Sequence, residues 1–223
     1  MKNYKAKSCL AFGLLVAALF SSGTASAVMV VDQQPMKVDA MYEGFLSSMD
    51  LGAMNADEFV SSNNFILDTI TWWGEYDGAT PTTDSFTVQL FSDDGGSPGI
   101  NPSYVIDTSS VSRQPDDAEI FRYSVDVSSA NIQLASGSKY YLAVMNDPLD
   151  GNANWFWTLG DFMSESWYRA ADTDAWWLDS SGNFAMQIEG SIADVVVPEP
   201  VTLSLFLLPL IYLGVKLRSD TSA

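Results

Sequence analysis

Along most of the chain apolar positions recur at every second residue, the period of a strand with one buried face, and not at the 3.6-residue period of a helix. NNFILDTITWW, residues 63–73, alternates Phe65, Leu67, Thr69 and Thr71 against Ile66, Asp68, Ile70 and Trp72. DSFTVQLFS puts Phe86, Val88 and Leu90 on one face, and SYVID, FRYSVDV, KYYLAVMN, NWFWTL, DAWWL and NFAMQIEG are further strand-like runs. Turn-rich pieces separate them: DGATPTTD, DDGGSPG, RQPDD, ASGS, DPLDGN and SSGN. Only Gly44 to Ser61 has a helical reading. Eight or so short strands at this spacing predict an all-β fold, an antiparallel β-sandwich with jelly-roll-like connections. It is expected to occupy residues 57–194, with residues 28–56 as an N-terminal segment joining it. No repeat of solenoid or propeller period is present.

The two ends break the pattern. Lys2, Lys5 and Lys7 precede the apolar run CLAFGLLVAALF and then SSGTASA, whose Ala25 and Ala27 suit the small-residue pockets of a signal peptidase. Residues 1–27 therefore read as a cleaved secretory signal, because about a dozen apolar residues are too few to span a bilayer. Cys9 stands at the head of the apolar run and leaves with the signal. The remaining chain has no cysteine, which excludes disulfides, thiol nucleophiles and thiolate metal sites. An exported domain of this kind lives on its hydrophobic core, and residues 28–197 are long enough to build one.

At the other end, residues 195–223, Pro198-Glu199-Pro200 forms a rigid extended element, because proline fixes its own backbone angle and pushes its predecessor out of the helical region. The apolar run Val201 to Val215 follows, a short expected transmembrane helix interrupted by Pro209. Lys216 and Arg218 then favour the cytoplasmic side and halt the segment in the inner membrane. The order of PEP, apolar span and basic end resembles the PEP-CTERM sorting signal over Val197 to Arg218. That resemblance implies export by the general secretory route and tail removal near Pro198 to Pro200 by an exosortase-like enzyme. It implies delivery to the surface or matrix of a Gram-negative bacterium that makes extracellular polysaccharide. A permanent single-span anchor is the alternative. From Asp57 to Ser191, the WW strand, FTVQLFSDDGGSPG, YYLAVMNDPLDGNANWFW and the Trp-rich segment ending AMQIEG resemble the ectodomain of many PEP-CTERM surface proteins, a group without an assigned activity.

Charge narrows the partners. Three of the ten cations lie in the signal and two in the tail, leaving five; of the 28 acids only Glu199 and Asp220 lie outside, leaving 26, so the middle carries about −21. Such a surface repels nucleic acid and anionic lipid headgroups, and favours solubility and cation binding.

Catalytic motifs fail one by one. GGSPG, Gly95 to Gly99, matches the nucleophile-elbow spacing, but the residue after the serine, which must donate a backbone N–H, is Pro98. No histidine exists in the chain, so a Ser-His-Asp triad and histidine-bearing metal sites are excluded. SGSK, Ser136 to Lys139, needs a helical turn and instead opens a strand. Asp93, Asp94, Asp147 and Asp150 in glycine-containing turns are candidate oxygen ligands for Ca²⁺, with solvated turn residues as the simpler reading. No other cofactor is expected. No carboxylate pair stands out for a glycoside hydrolase.

All seven tryptophans lie in the middle region. Trp155 and Trp157 share a strand face, whereas Trp176 and Trp177 point to opposite faces, so not all are core. Trp155, Trp157, Trp167 and Trp176 are the candidate glycan-binding aromatics, set against core filling. The sequence thus predicts a non-enzymatic surface or matrix protein associated with extracellular polysaccharide or biofilm. A carbohydrate-binding module and a carboxylate-based hydrolase are the alternatives.

Overall fold

A computed structural model describes residues 27–193 except 40, 49, 118, 147–152, 161–164, 180 and 181. Ala25, the PEP residues Pro198, Glu199 and Pro200, the apolar span, Lys216 and Arg218 lie outside the described residues, as do Asp147 and Asp150. In chain order the strands are β1 (Ala27–Gln33), β2 (Lys37–Val38), β3 (Met41–Tyr42), β4 (Gly44–Leu46), β5 (Met54–Val60), β6 (Phe65–Tyr76), β7 (Phe86–Ser92) and β8 (Tyr104–Ile106). They continue as β9 (Ser112–Pro115), β10 (Phe121–Asp126), β11 (Gln133–Leu134), β12 (Lys139–Asn146), β13 (Trp155–Thr158), β14 (Ser166–Arg169), β15 (Trp177–Asp179) and β16 (Met186–Ile192).

The fold is all-β, with two antiparallel sheets packed face to face. The first runs β1-β16-β6-β10-β9, with β11 and β13 also on β6 and β4 on β13; the second runs β15-β14-β5-β12-β7-β8. The core between them draws Phe65, Leu67, Ile70 and Trp72 from the first sheet and Phe59, Leu90, Leu142 and Val144 from the second.

β6 departs from simple alternation. Phe65 and Leu67 face the core, and so do Ile70 and Trp72, although an unbroken strand would send the second pair to the opposite face. The change of phase is a β-bulge: Glu189 pairs with Thr69 and Gly190 with Leu67, leaving Asp68 without a partner across the ladder. Gly190 fits because a Cβ there would come within 2.7 Å of the Ile66 carbonyl oxygen. The extra backbone groups find bonds elsewhere, Val127 N–H donating to the Asp68 carbonyl at 2.8 Å. Four residues on one strand thereby enter one core where alternation places Thr69 and Thr71.

Gly44 to Ser61 is not helical: it holds β4 and β5, and among the described residues the chain has no α-helix, only a 3₁₀ turn at Ser128–Ala130. β5 lies between β14 and β12, buried on both faces from Met54 to Asp57, so it lacks the apolar–polar alternation that marks a half-exposed strand. Part of RQPDD also belongs to a strand, the edge strand β9, where Pro115 ends the pairing opposite Phe121. Within residues 28–56, β1 and β4 belong to the first sheet, β2 and β3 pair with each other, and Met54–Ala56 already belong to β5 of the second sheet.

Asp57, at the middle of β5, is fully buried on the face that looks into the sandwich. Its carboxyl accepts N–H bonds from Phe184 at 2.7 Å and Glu58 at 2.8 Å, tying the second sheet to the segment entering β16. Burial is the larger influence and pushes the acid up to about 8 against an ordinary 3.8, with the two N–H bonds pulling the other way. The folded protein holds this proton while the unfolded chain has released it, so stability contributed at low pH is lost as pH rises from about 4 to about 8, at up to about 1.4 kcal/mol per pH unit. Urea unfolding of wild type and Asp57→Asn should give curves that diverge across that window, the wild type losing stability relative to the variant; parallel profiles would contradict the assignment.

Candidate functional site

Beyond the shared core the second sheet presents its outer face and two edge strands, β8 and β15. On the outer face alternation places Met54 and Ala56 of β5, Phe91 of β7, and Tyr141, Ala143 and Met145 of β12, all buried in a second apolar cluster. Trp176 caps this cluster, its ring 5.3 Å from that of Phe91 and edge-on to it. Arg169 of β14 reaches across the same face, with its guanidinium 4.3 Å from the Trp176 ring centre and 5.1 Å from that of Phe91. Cation–π contact compensates a desolvated guanidinium best when its donors are also filled. Here Nε meets the Met54 sulfur, Nη1 donates to the carbonyls of Ile100 and Asp172, and Nη2 donates to the Asp172 carboxylate. Burial pulls the guanidinium below its ordinary value, and Asp172 and Asp174 oppose that shift. Trp176 Nε1–H donates to the Gly99 carbonyl at 3.1 Å. The loops around residues 99–100 and 172–176 are thus stitched over the outer face and close it.

The edge at β15 is different. Among the described residues β15 pairs only with β14, setting Trp177 opposite Tyr168. Trp176 is committed to the covered face, so Trp177 must point to the other, where 70% of its surface meets solvent. Tyr168 is half-buried, its hydroxyl donating to the Gly52 carbonyl at 3.2 Å. Between the two lies a cleft of about 310 Å³, lined also by Ala170, Asp174, Ala175 and the stem of Arg169.

The other sequence-selected residues fall elsewhere. Trp155 and Trp157 are fully buried core residues: Trp155 packs on Phe86 and Tyr123 at 5.1 and 6.1 Å, and Trp157 stacks on Phe184 at 4.5 Å with its N–H on the Ala185 carbonyl. Neither presents a ring face to solvent. Trp167 is half-buried, edge-on to Tyr141 at 6.1 Å. Asp93 accepts the Tyr141 hydroxyl at 2.8 Å, which, with burial as the larger cause, holds that phenol above its ordinary value. Asp94 sits in the adjoining turn, closed by its N–H on the Ser97 carbonyl. GGSPG is that turn, with Gly95 and Gly96 at positive φ and the Ser97 hydroxyl donating to the Asp94 carbonyl. Among the described residues no three acids converge on a point that would hold a metal ion. Ser136 donates to the Ser62 carbonyl while Lys139 pairs with Glu58 at 2.7 Å, so the two do not form a dyad.

Trp177, Tyr168 and Arg169 are the residues that sequence reasoning passed over. The adjacency of Trp176 and Trp177 shows that one of them points outward, but which one depends on the cover supplied by Phe91 and Gly99.

No protein-family model matches the chain, and no curated protein matches it.

Arg169→Ala should cost about 3 kcal/mol or more, since it leaves the aromatic pair and two loop carbonyls without their partner, and Arg169→Lys should recover little of it. Urea unfolding checks this; a loss within about 0.5 kcal/mol would mean that the buried guanidinium does not hold the loops.

Proposed function

We propose that the protein is an exported, non-enzymatic surface or matrix protein of a Gram-negative bacterium, trimmed at its tail by an exosortase-like enzyme and held among extracellular polysaccharide. The observation that carries this reading is the ordered Pro198-Glu199-Pro200, apolar span and Lys216/Arg218 in a chain that opens with a secretory signal. Signal peptidase, the exosortase-like enzyme and, transiently, the inner membrane are its expected partners. Nucleic acid is not, given the acidic middle region.

The fold is compatible with both cuts. Among the described residues the first paired residue is Ala27, opposite Ser191, and the last is Ile192, opposite Phe65. Of the described ladders, cleavage after Ala27 and near Pro198 removes one residue and no core residue. We read the connectivity as a jelly roll: the strand orders β1-β16-β6-β10 and β5-β12-β7-β8 follow from rolling one long antiparallel ribbon into two sheets. A cysteine-free domain of this kind suits an exported protein because its stability rests on the aromatic core rather than on an oxidising compartment.

A second reading, a carbohydrate-binding module, is favoured by one observation, the Trp177 ring left in solvent beside Tyr168 and Asp174.

The test is intact mass and terminal-peptide mapping of protein recovered from the producing cell's surface. Ends at Val28 and near Pro198 to Pro200 are expected. A chain still ending at Ala223 in normal cells, or found only in the cytoplasm, would overturn the proposal.

A further inference from the structure

We propose that the cleft between Trp177 and Tyr168 binds a single neutral pyranose unit of a polysaccharide chain, the sugar's C–H face lying on the Trp177 indole and a hydroxyl donating to Asp174. This deepens the reading of a polysaccharide-associated surface protein and rests on it.

Trp177 does no packing that would account for a tryptophan. Its neighbour Trp176 supplies the anchor of this segment, through Phe91, Arg169 and the Gly99 carbonyl, and β14 supplies the backbone pairing. A large aromatic left 70% exposed on a backbone anchored by so firmly packed a neighbour springs from a set place on the sheet edge, the first requirement of a stacking platform. Tyr168 opposite it is held by its hydroxyl, which donates to the Gly52 carbonyl. Ala170 and Ala175 leave room between the rings.

The lining selects the ligand class. An indole face beside a flat ring face offers apolar contact to the axial C–H groups of a pyranose whose hydroxyls are mostly equatorial. Asp174 lines the cleft as a hydrogen-bond acceptor for hydroxyls. An anionic sugar is disfavoured: the one cation in the lining, Arg169, has a fully buried side chain whose nitrogens already serve Met54, Ile100 and Asp172. At about 310 Å³ the cleft is at the small end of ligand sites, so one ring of a longer chain fits and the remainder runs over the edge. One carboxylate in the lining supports binding and not hydrolysis, which uses two.

The test uses the full-length chain in polyoxyethylene-ether micelles, titrated calorimetrically with cellohexaose, laminarihexaose, mannohexaose and a hexameric alginate. Saturable binding of at least one neutral hexamer is expected, with none for alginate. Trp177→Ala should weaken binding at least about tenfold without changing the unfolding temperature, and Trp177→Phe, which keeps a ring, should fall between. Tyr168→Ala, which removes the second ring of the cleft, should also weaken binding. Failure of every neutral hexamer, wild-type affinity in Trp177→Ala, or displacement of bound sugar by choline, which would mark a cation cage, overturns the inference. Trimmed termini without sugar binding would remove this inference alone; sugar binding by a chain that cells never trim would remove the sorting proposal alone.

Discussion

The bulge at Asp68 is the constraint on which the rest of the molecule depends. β6 is the longest strand of the described residues and the one to which β16, β10, β11 and β13 all pair, so its facing dictates theirs. A strand with strict alternation cannot bury Phe65 and Leu67 together with Ile70 and Trp72 in the same core. The inserted residue makes this arrangement available. Trp72, turned inward, then anchors an aromatic cluster with Phe86, Tyr123 and Trp155, whose ring centres lie 4.7 to 6.1 Å apart. Trp73, turned outward, packs instead with Ile120 and Ala185 and donates its N–H to Asp116 at 2.7 Å. Gly74 follows for a steric reason, because a Cβ at that position would fall inside the Trp155 ring. In a chain whose single cysteine is Cys9, which rules out an intramolecular disulfide, this dense aromatic packing takes the place of covalent staples.

Strands rich in apolar and aromatic residues were legible in the sequence, and a strand that turns polar residues inward was not. β7, β10, β12 and β13 each fall within a selected run, and β16 extends its run by two residues. β5 was missed because Asn55 and Asp57 look inward while Met54 and Ala56 look outward under the Arg169 cover, so polarity no longer marks direction. β14, only four residues long, carries too short a pattern to be seen. For tryptophan the period-two rule correctly joined Trp155 and Trp157 on one face, yet both faces of that strand are aromatic, and only the partner sheet decides which of them is dry. Trp177 shows the same limit at an edge. Its exposure follows from the commitment of Trp176, and that depends on Phe91 and Gly99, nearly eighty residues distant in the chain.

These features divide the labour between the surfaces of the second sheet. Its inner face and Asp57 hold it to the first sheet. Its outer face is closed by Arg169 and Trp176, which fill the broad surface that a flat sheet would otherwise offer to a ligand. At the β15 edge the fold leaves an exposed indole beside a half-buried tyrosine and a carboxylate. The surrounding acidity disfavours polyanions, which is why the proposed partner of this edge is a neutral glycan.

The most direct measurement is hydrogen exchange across the whole chain, with and without a saturating neutral oligosaccharide. The account predicts slow exchange through β6, β12 and β16 in both states, with added protection confined to residues 166–179. Protection centred instead on Glu58, Lys139 and Tyr141, or spread evenly over both sheets, would contradict it, because the ligand surface would then lie somewhere other than the edge that Trp177 marks.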